Sequence, residues 1–263
     1  MKTIRQDIYN KFVHSKIILT SKRGQNYLKN KEILDFIASQ TKLLLSSNIV
    51  EIGTGPGILT EPLALTGKNI ISFELDKGVY EIVNILQKDY KNLTIINKDF
   101  LKTDMVLEDF AVVANIPYNI TSDIIKKIFT EYNPECAILM VQKEFAQKII
   151  TGNPVNSQTV FMKNCFEIES LKQVSKNDFF PPPKVNSTLI KITPLYEKTF
   201  LQPFYTFLKD IFSFRNKNLS AFYKKNNLNS KYNDLMKKKI QNLEYREFLS
   251  LFKEKGVKPV HNS

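Results

Sequence analysis

Ile49-Val50-Glu51-Ile52-Gly53-Thr54-Gly55-Pro56-Gly57 joins a short apolar run to three closely spaced glycines, and helical spacing of Leu59, Leu63 and Leu65 follows. This is the signature of a buried strand, a tight turn and a helix. Glycines in such a turn let the backbone approach a ligand and adopt angles that a side chain forbids. The spacing is G-x-G-x-G rather than the dinucleotide G-x-G-x-x-G, and Pro56 departs from that fingerprint further. No P-loop Lys-Ser/Thr follows, which disfavours a phosphate cradle. Taken alone the loop is equally well read as a structural strand-to-helix turn.

The pattern repeats outward from this turn. Ile70 to Phe73, Leu93 to Ile96, Ala111 to Ala114 and Ala137 to Val141 read as further buried strands. Between them lie helical spacings, such as Ile82, Ile85 and Leu86 after Asp76, and Ile124, Ile125, Ile128 and Phe129 after Thr121-Ser122-Asp123. Strand and helix in alternation predict an α/β fold with a doubly wound, mostly parallel sheet. Ser187 to Ile192 reads as a late strand beyond Pro181-Pro182-Pro183, and Pro194 and Pro203 bracket an expected domain boundary. The remainder is helical, rich in Lys and Asn, and aromatic.

Composition narrows the classes. The chain has 263 residues, 43% of them apolar, which is enough for a substantial core and excludes a disordered tail. It has no apolar run of about 18 residues and no apolar N-terminal signal, so a cytoplasmic protein without a membrane partner is expected. Cys136 and Cys165 read as reduced core thiols, and His14 and His261 have no ligand pattern around them, so no metal is expected. The formal net charge of +12 is unevenly spread. Residues 1–31 carry 8 basic and 1 acidic side chains, residues 32–193 carry 16 and 19, and residues 194–263 carry 14 and 6. Two basic ends around a near-neutral middle fit a polyanion gripped by the ends, Lys22 and Arg23 among them, although lysines that merely solubilise a surface would give the same count.

Two acids follow the glycine loop at successive strand ends. Glu74 lies 21 positions after Gly53, where a carboxylate can accept both ribose hydroxyls. Asp99, in Asn97-Lys98-Asp99-Phe100, is placed to accept from an adenine amine while Phe100 lies against the ring. Either acid could instead be a solvated loop residue or a helix cap. With Gly53 and Gly55 they favour an adenosine-containing ligand, and the missing pyrophosphate fingerprint favours S-adenosylmethionine over a dinucleotide. After the fourth strand comes Asn115-Ile116-Pro117-Tyr118. Proline fixes an extended bend, so the Asn115 side chain and the Ile116 carbonyl can both accept from one exocyclic amine while Tyr118 stacks on its base. A strand-ending turn with a core Tyr is the plainer alternative.

These segments resemble the ribosomal RNA adenine dimethyltransferase family, the KsgA type and its macrolide-resistance Erm relatives. Four more stretches carry the resemblance: Gly24-Gln25-Asn26-Tyr27-Leu28, Gln142-Lys143-Glu144-Phe145-Ala146, Phe179-Phe180-Pro181-Pro182-Pro183-Lys184-Val185-Asn186-Ser187, and Phe212 to Leu219. The resemblance implies a Rossmann-like S-adenosylmethionine-dependent methyltransferase sheet over 1–193, its last strand antiparallel, and a small α-helical, basic rRNA-binding domain over 194–263. It implies cofactor contacts from Gln25, Asn26, Leu28, Gly53, Gly55, Glu74, Asp99, Phe100 and Asn115. It places Asn115, Ile116, Pro117, Tyr118 and Phe179 at the target base, with Phe179 over its second face. Arg215 and Lys217, on a helix, would join Lys22 and Arg23 in meeting RNA. The implied reaction is N6,N6-dimethylation of two adjacent adenosines near the 3′ end of small-subunit rRNA, by a monomer acting on the immature 30S subunit. Ile116 is usual in the Erm branch, whereas the Gln142 helix, the triple proline and the Arg215 segment favour the small-subunit branch. The remaining readings are an Erm-type enzyme acting on 23S rRNA and a non-catalytic ribosome-assembly or transcription factor of the same fold.

Overall fold

The computed structural model describes Ile8, Asn10 and residues 26–226, 228 and 231–254. It resolves into two compact units, each assembled from separate stretches of chain. The first comprises residues 1–127, 134–143 and 169–192, and the second comprises 128–133, 144–168 and 193–263. Residues 128–133 and 144–168 group with the stretch that begins at residue 193.

The first unit is organised by a seven-stranded sheet. Its parallel strands are β2 (Asn48–Ile52), β3 (Asn69–Phe73), β4 (Leu93–Ile96), β5 (Phe110–Asn115) and β6 (Ala137–Gln142). The order is β4-β3-β2-β5-β6, then β9 (Ser187–Pro194) and β7 (Phe166–Val174) at the edge. β9 runs antiparallel to β6, as the resemblance implies. All five parallel strands stand where the apolar runs place them, and β5 and β6 are buried along nearly their whole length. Such burial marks a sheet covered on both faces. The chain passes from β2 outward to β4 and returns to β5 on the other side, so the order reverses between β2 and β5. In open α/β sheets the crevice beyond such a reversal is where ligands bind.

The helices differ more from expectation. α1 (Lys31–Lys42) is capped by Asn30, whose Oδ1 accepts from the Glu32 amide at 3.0 Å. After the glycine loop, α2 (Thr60–Ala64) is a single short turn and a half. The helix expected after Asp76 is two pieces, α3 (Lys77–Val83) and α4 (Leu86–Asp89), and Asp76 caps the first through its carboxylate. α5 (Thr121–Glu131), α6 (Lys143–Thr151) and α7 (Ser157–Cys165) follow. β7 carries no apolar run, because as an edge strand it exposes Glu167, Glu169 and Gln173. The two-residue ladder of β1 (Tyr27–Leu28) with β8 (Phe179–Phe180) is likewise unmarked by any apolar periodicity.

The second unit contains α8 (Lys198–Phe212), α9 (Leu219–Lys225) and α10 (Tyr245–Lys253). Its core is aromatic: Phe204 lies 5.8 Å from Phe200 and 5.1 Å from Phe252, and Phe207 lies 5.4 Å from Phe252, ring centre to ring centre. Pro203 is inside α8 and marks no boundary. Arg215 and Lys217, expected on a helix, sit in the exposed turn between α8 and α9. There the Arg215 and Lys217 amides close short turns onto the Phe212 and Phe214 carbonyls, while their own carbonyls accept from Gln241 and Ile240. Those outside partners take the place of a continuing helical ladder.

Candidate active site

A cavity of about 400 Å³ opens at the carboxyl ends of β2, β3, β4 and β5. That volume falls within the usual range for a small-molecule site. The glycine loop forms one wall. Gly53 and Thr54 donate their amides to the Phe73 carbonyl at 2.8 and 3.2 Å, and Gly55 donates to Glu74 Oε2 at 2.8 Å. Gly55 has φ +53°, and a Cβ there would meet Tyr27 Cε1 at 2.7 Å, so the Tyr27 ring lies directly on the loop. A Cβ on Gly53, by contrast, would meet nothing within 4 Å, which leaves open space for a ligand against the backbone.

Beneath the loop is a buried network that spacing alone did not reveal. Glu51 Oε2 accepts from the hydroxyls of Thr60 at 2.7 Å and Ser72 at 2.6 Å, and Ser72 Oγ is 2.6 Å from Thr54 Oγ1. Glu51 is 1% exposed and its Oε1 has no hydrogen-bond partner. Burial above all, with a smaller push from Glu74, raises its carboxyl to about 8. One acid and three hydroxyls thereby tie β2, the loop, α2 and β3 together.

Glu74 lines the cavity, and both of its oxygens are already engaged, Oε2 by Gly55 and Oε1 by the Asp76 amide at 2.8 Å. Desolvation raises its pKa. A carboxylate carries about four acceptor sites, so with the Asp76, Gly55 and Leu75 amides engaged Glu74 keeps capacity for a ribose hydroxyl. Asp99 is both a cap and a cavity residue: Oδ1 accepts from the Leu101 amide at 3.0 Å. Its Oδ2 is left with only a 3.9 Å pairing to Lys102. Phe100 lines the cavity and packs edge-on against Phe73 at 5.5 Å. Leu75, directly after Glu74, is 68% exposed and also lines the cavity. The sequence signal available for it was a leucine directly after the strand-end acid Glu74.

The opposite wall is Asn115 to Ile120. Asn115 Nδ2 donates to the Asn26 carbonyl at 2.8 Å, which leaves Oδ1 as the acceptor of that amide. Pro117, with φ −59° and ψ 129°, turns the chain into a 3₁₀ turn at Tyr118–Ile120. Tyr118 Oη lies 2.6 Å from Ser187 Oγ, and burial raises its phenol pKa. Asn26 and Leu28 also line the cavity.

Phe179 is not brought to this cavity. It is 1% exposed, pairs with Leu28 across the β1–β8 ladder and lies in the core, where an apolar ring gains about 1.5–3 kcal/mol from burial. Its neighbour Phe180, opposite Tyr27, is 41% exposed. Gln25, Lys22 and Arg23 lie outside the described residues. Cys136 and Cys165 are buried free thiols, and burial pushes Cys136 up to about 12. Among the described residues no cluster could hold a metal ion, and no helix is long and apolar enough to cross a membrane.

Comparison with known proteins adds an independent line. A family model described as ribosomal RNA adenine dimethylase matches residues 19–256. The mitochondrial ribosomal RNA small subunit methyltransferase of Arabidopsis thaliana is 36% identical over 227 residues, covering 82% of this chain and 59% of that protein's length. Ribosomal RNA small subunit methyltransferase A of Mycoplasmopsis pulmonis (strain UAB CTIP) is 35% identical over 88% of this chain and 96% of its own. A dimethyladenosine transferase structure from Plasmodium falciparum superposes with a TM-score of 0.68 at 28% identity, covering 89% of this chain and 99% of that one. The 23S rRNA methyltransferase ErmE gives 0.62 at 25% identity, with 87% and 98% covered. An O-methyltransferase from Bacillus cereus in complex with SAH, 12% identical with a TM-score of 0.50 over 72% of this chain and 91% of that one, shares the fold alone.

Proposed function

The chain belongs to the ribosomal RNA adenine dimethylase family, and from that membership we propose that it dimethylates N6 of two adjacent adenosines near the 3′ end of small-subunit rRNA. The observation that carries this reading is Asn115. Its amide is turned by the Asn26 carbonyl so that an acceptor remains for a target amine, on the same cavity that Glu74 and Asp99 line. The small-subunit choice rests on relatives that bear that name.

The cavity fits S-adenosylmethionine: it has room against Gly53, a carboxylate with unused acceptor sites at the end of β3, and an acid beside an aromatic at the end of β4. When bound, that cofactor supplies a methyl group activated by a sulfonium. Glu74 would accept from its ribose hydroxyls, Asp99 Oδ2 would accept from its adenine amine, Phe100 and Leu75 would cover the ring, and Asn26 and Leu28 would hold the methionine end.

The remaining chemistry is done at the target nitrogen. An aromatic amine is a poor nucleophile because its lone pair is delocalised. Asn115 Oδ1 and the Ile116 carbonyl accept its two hydrogens and hold the nitrogen in its pyramidal form. Tyr118 stacks on the base and stabilises positive charge on N6 by about 0.5–2 kcal/mol. Once N6 carries the new methyl group, its proton would pass to solvent without a strong general base. Arg215 and Lys217, exposed in the α8–α9 turn, neutralise rRNA phosphates. The enzyme acts as a cytoplasmic monomer on the immature small subunit.

The test is mass mapping of modified adenosines after incubation with undermethylated small and large subunits. Dimethyladenosine in small-subunit rRNA is the expected product. Methylation confined to the large subunit would assign the chain to the Erm-type activity instead, and failure to bind S-adenosylmethionine in calorimetry would remove the enzymatic reading.

A further inference from the structure

The geometry points to Ser187 as a positioning residue for methyl transfer, one that sets the tilt of the Tyr118 ring from the last antiparallel strand of the sheet. The inference rests on the reading that Tyr118 meets the target base.

Tyr118 follows Pro117 in a single 3₁₀ turn, an element with little stiffness of its own. Its ring is half-buried on the cavity wall, so packing on one side leaves the direction of the ring's long axis, which χ1 and the backbone set, loosely held. The hydrogen bond that restrains it is at the far end of the ring, Oη to Ser187 Oγ at 2.6 Å. The para oxygen lies on the ring's long axis at the greatest distance from Cα, so a bond there limits the swing of that axis most strongly.

Ser187 is suited to that task by where it stands. It is 0% exposed and opens β9, in register with Gln142 at the end of β6. β6 in turn pairs with β5, the strand that ends on Asn115. The hydroxyl is thus mounted on the same sheet that carries the target-amine acceptor, and the ring and the amide are referenced to one rigid frame. Burial raises the Tyr118 phenol pKa, so the hydroxyl is neutral at physiological pH and the pair is a neutral hydrogen bond with either oxygen as donor. Sites held by such supporting bonds lose rate steeply when loosened, because small displacements from the productive geometry are costly.

The experiment uses Ser187→Ala, Tyr118→Phe and their double variant. Methyl transfer is followed with labelled S-adenosylmethionine and small ribosomal subunits assembled on unmodified rRNA, and cofactor affinity is measured by calorimetry. Each single change is expected to lower kcat by about tenfold, with the S-adenosylmethionine Kd within about twofold of the parent. The double variant is expected to be no slower than the slower single, since both remove one bond. Wild-type kcat in Tyr118→Phe, multiplied losses in the double variant, or a parallel loss of cofactor binding would each overturn the role. Should Ser187→Ala not fold, Tyr118→Phe still decides, because it breaks the same bond and keeps the ring. Tyr118→Ala separates the underlying reading: unchanged kcat there would show that Tyr118 does not meet the base at all.

Discussion

The loops after β2 and β5 line the same cavity, yet they are held by different means. The glycine loop is secured within a span of some twenty residues, by its own amides on the Phe73 carbonyl and Glu74, and by the Glu51, Thr54, Thr60 and Ser72 network below it. The Asn115 to Tyr118 segment is secured from far along the chain, by the Asn26 carbonyl 89 positions away and by Ser187 69 positions away. The glycine-loop wall, proposed to hold the cofactor, is therefore tied mainly by near neighbours, and the Asn115 wall, proposed to meet the target, is an assembled one. A change in the first should strike cofactor affinity, and a change in the second should strike rate.

The severest test of that contrast is Gly55→Val. The new side chain would require a left-handed residue and would collide with the Tyr27 ring, so S-adenosylmethionine binding should fall by about 100-fold or more in calorimetry. Retention of affinity within about threefold would mean that the loop does not cradle the cofactor. Tyr118→Ala should do the converse. Removal of one base–aromatic stack, worth about 1–3 kcal/mol, should lower kcat by about 5–150-fold while cofactor affinity stays put. Equal loss of both would make Tyr118 a core residue.

Glu51 gives a smaller effect with a defined pH window. Near pH 4.5 and below, the acid is protonated in both the unfolded and the folded chain. As pH rises the unfolded chain ionises first, while burial holds the folded group protonated up to about 8, so stability is lost across that window. Thermal melts of the parent should fall by several degrees more between pH 5 and pH 8, in order of magnitude, than those of Glu51→Gln. Parallel pH profiles would show that Glu51 is not the group responsible. Smallest is the effect of neutralising Arg215 and Lys217 together. The slope of log affinity against log salt should shrink by about 0.7–0.9 for each phosphate that is no longer neutralised. An unchanged slope would take the α8–α9 turn off the RNA surface.

The parallel sheet was legible because its strands are short, mostly apolar runs followed by glycine or polar residues, most plainly at Phe110–Asn115. Glu74 and Asp99 were legible for the same reason, as the first acids beyond two such runs. The edge strand β7 was not, since its exposed faces carry charge. The Arg215 segment was placed on a helix by the resemblance alone; backbone partners from residues 240 and 241 hold it as a turn instead. Which of the two adjacent phenylalanines lies inside was not legible, because they face opposite ways in a strand and register alone buries Phe179 and exposes Phe180.

The order of the strands along the chain, the glycine turn and the acids that follow the strands are written in the residues themselves, since each is set by the periodicity and conformational freedom of near neighbours. That Tyr27 lies on Gly55, that Asn115 is aimed by Asn26, and that Ser187 holds Tyr118 was settled in three dimensions. Those pairings join segments tens of residues apart, and the hydrogen bonds and close approaches that make them exist only once the sheet has brought its strand ends together.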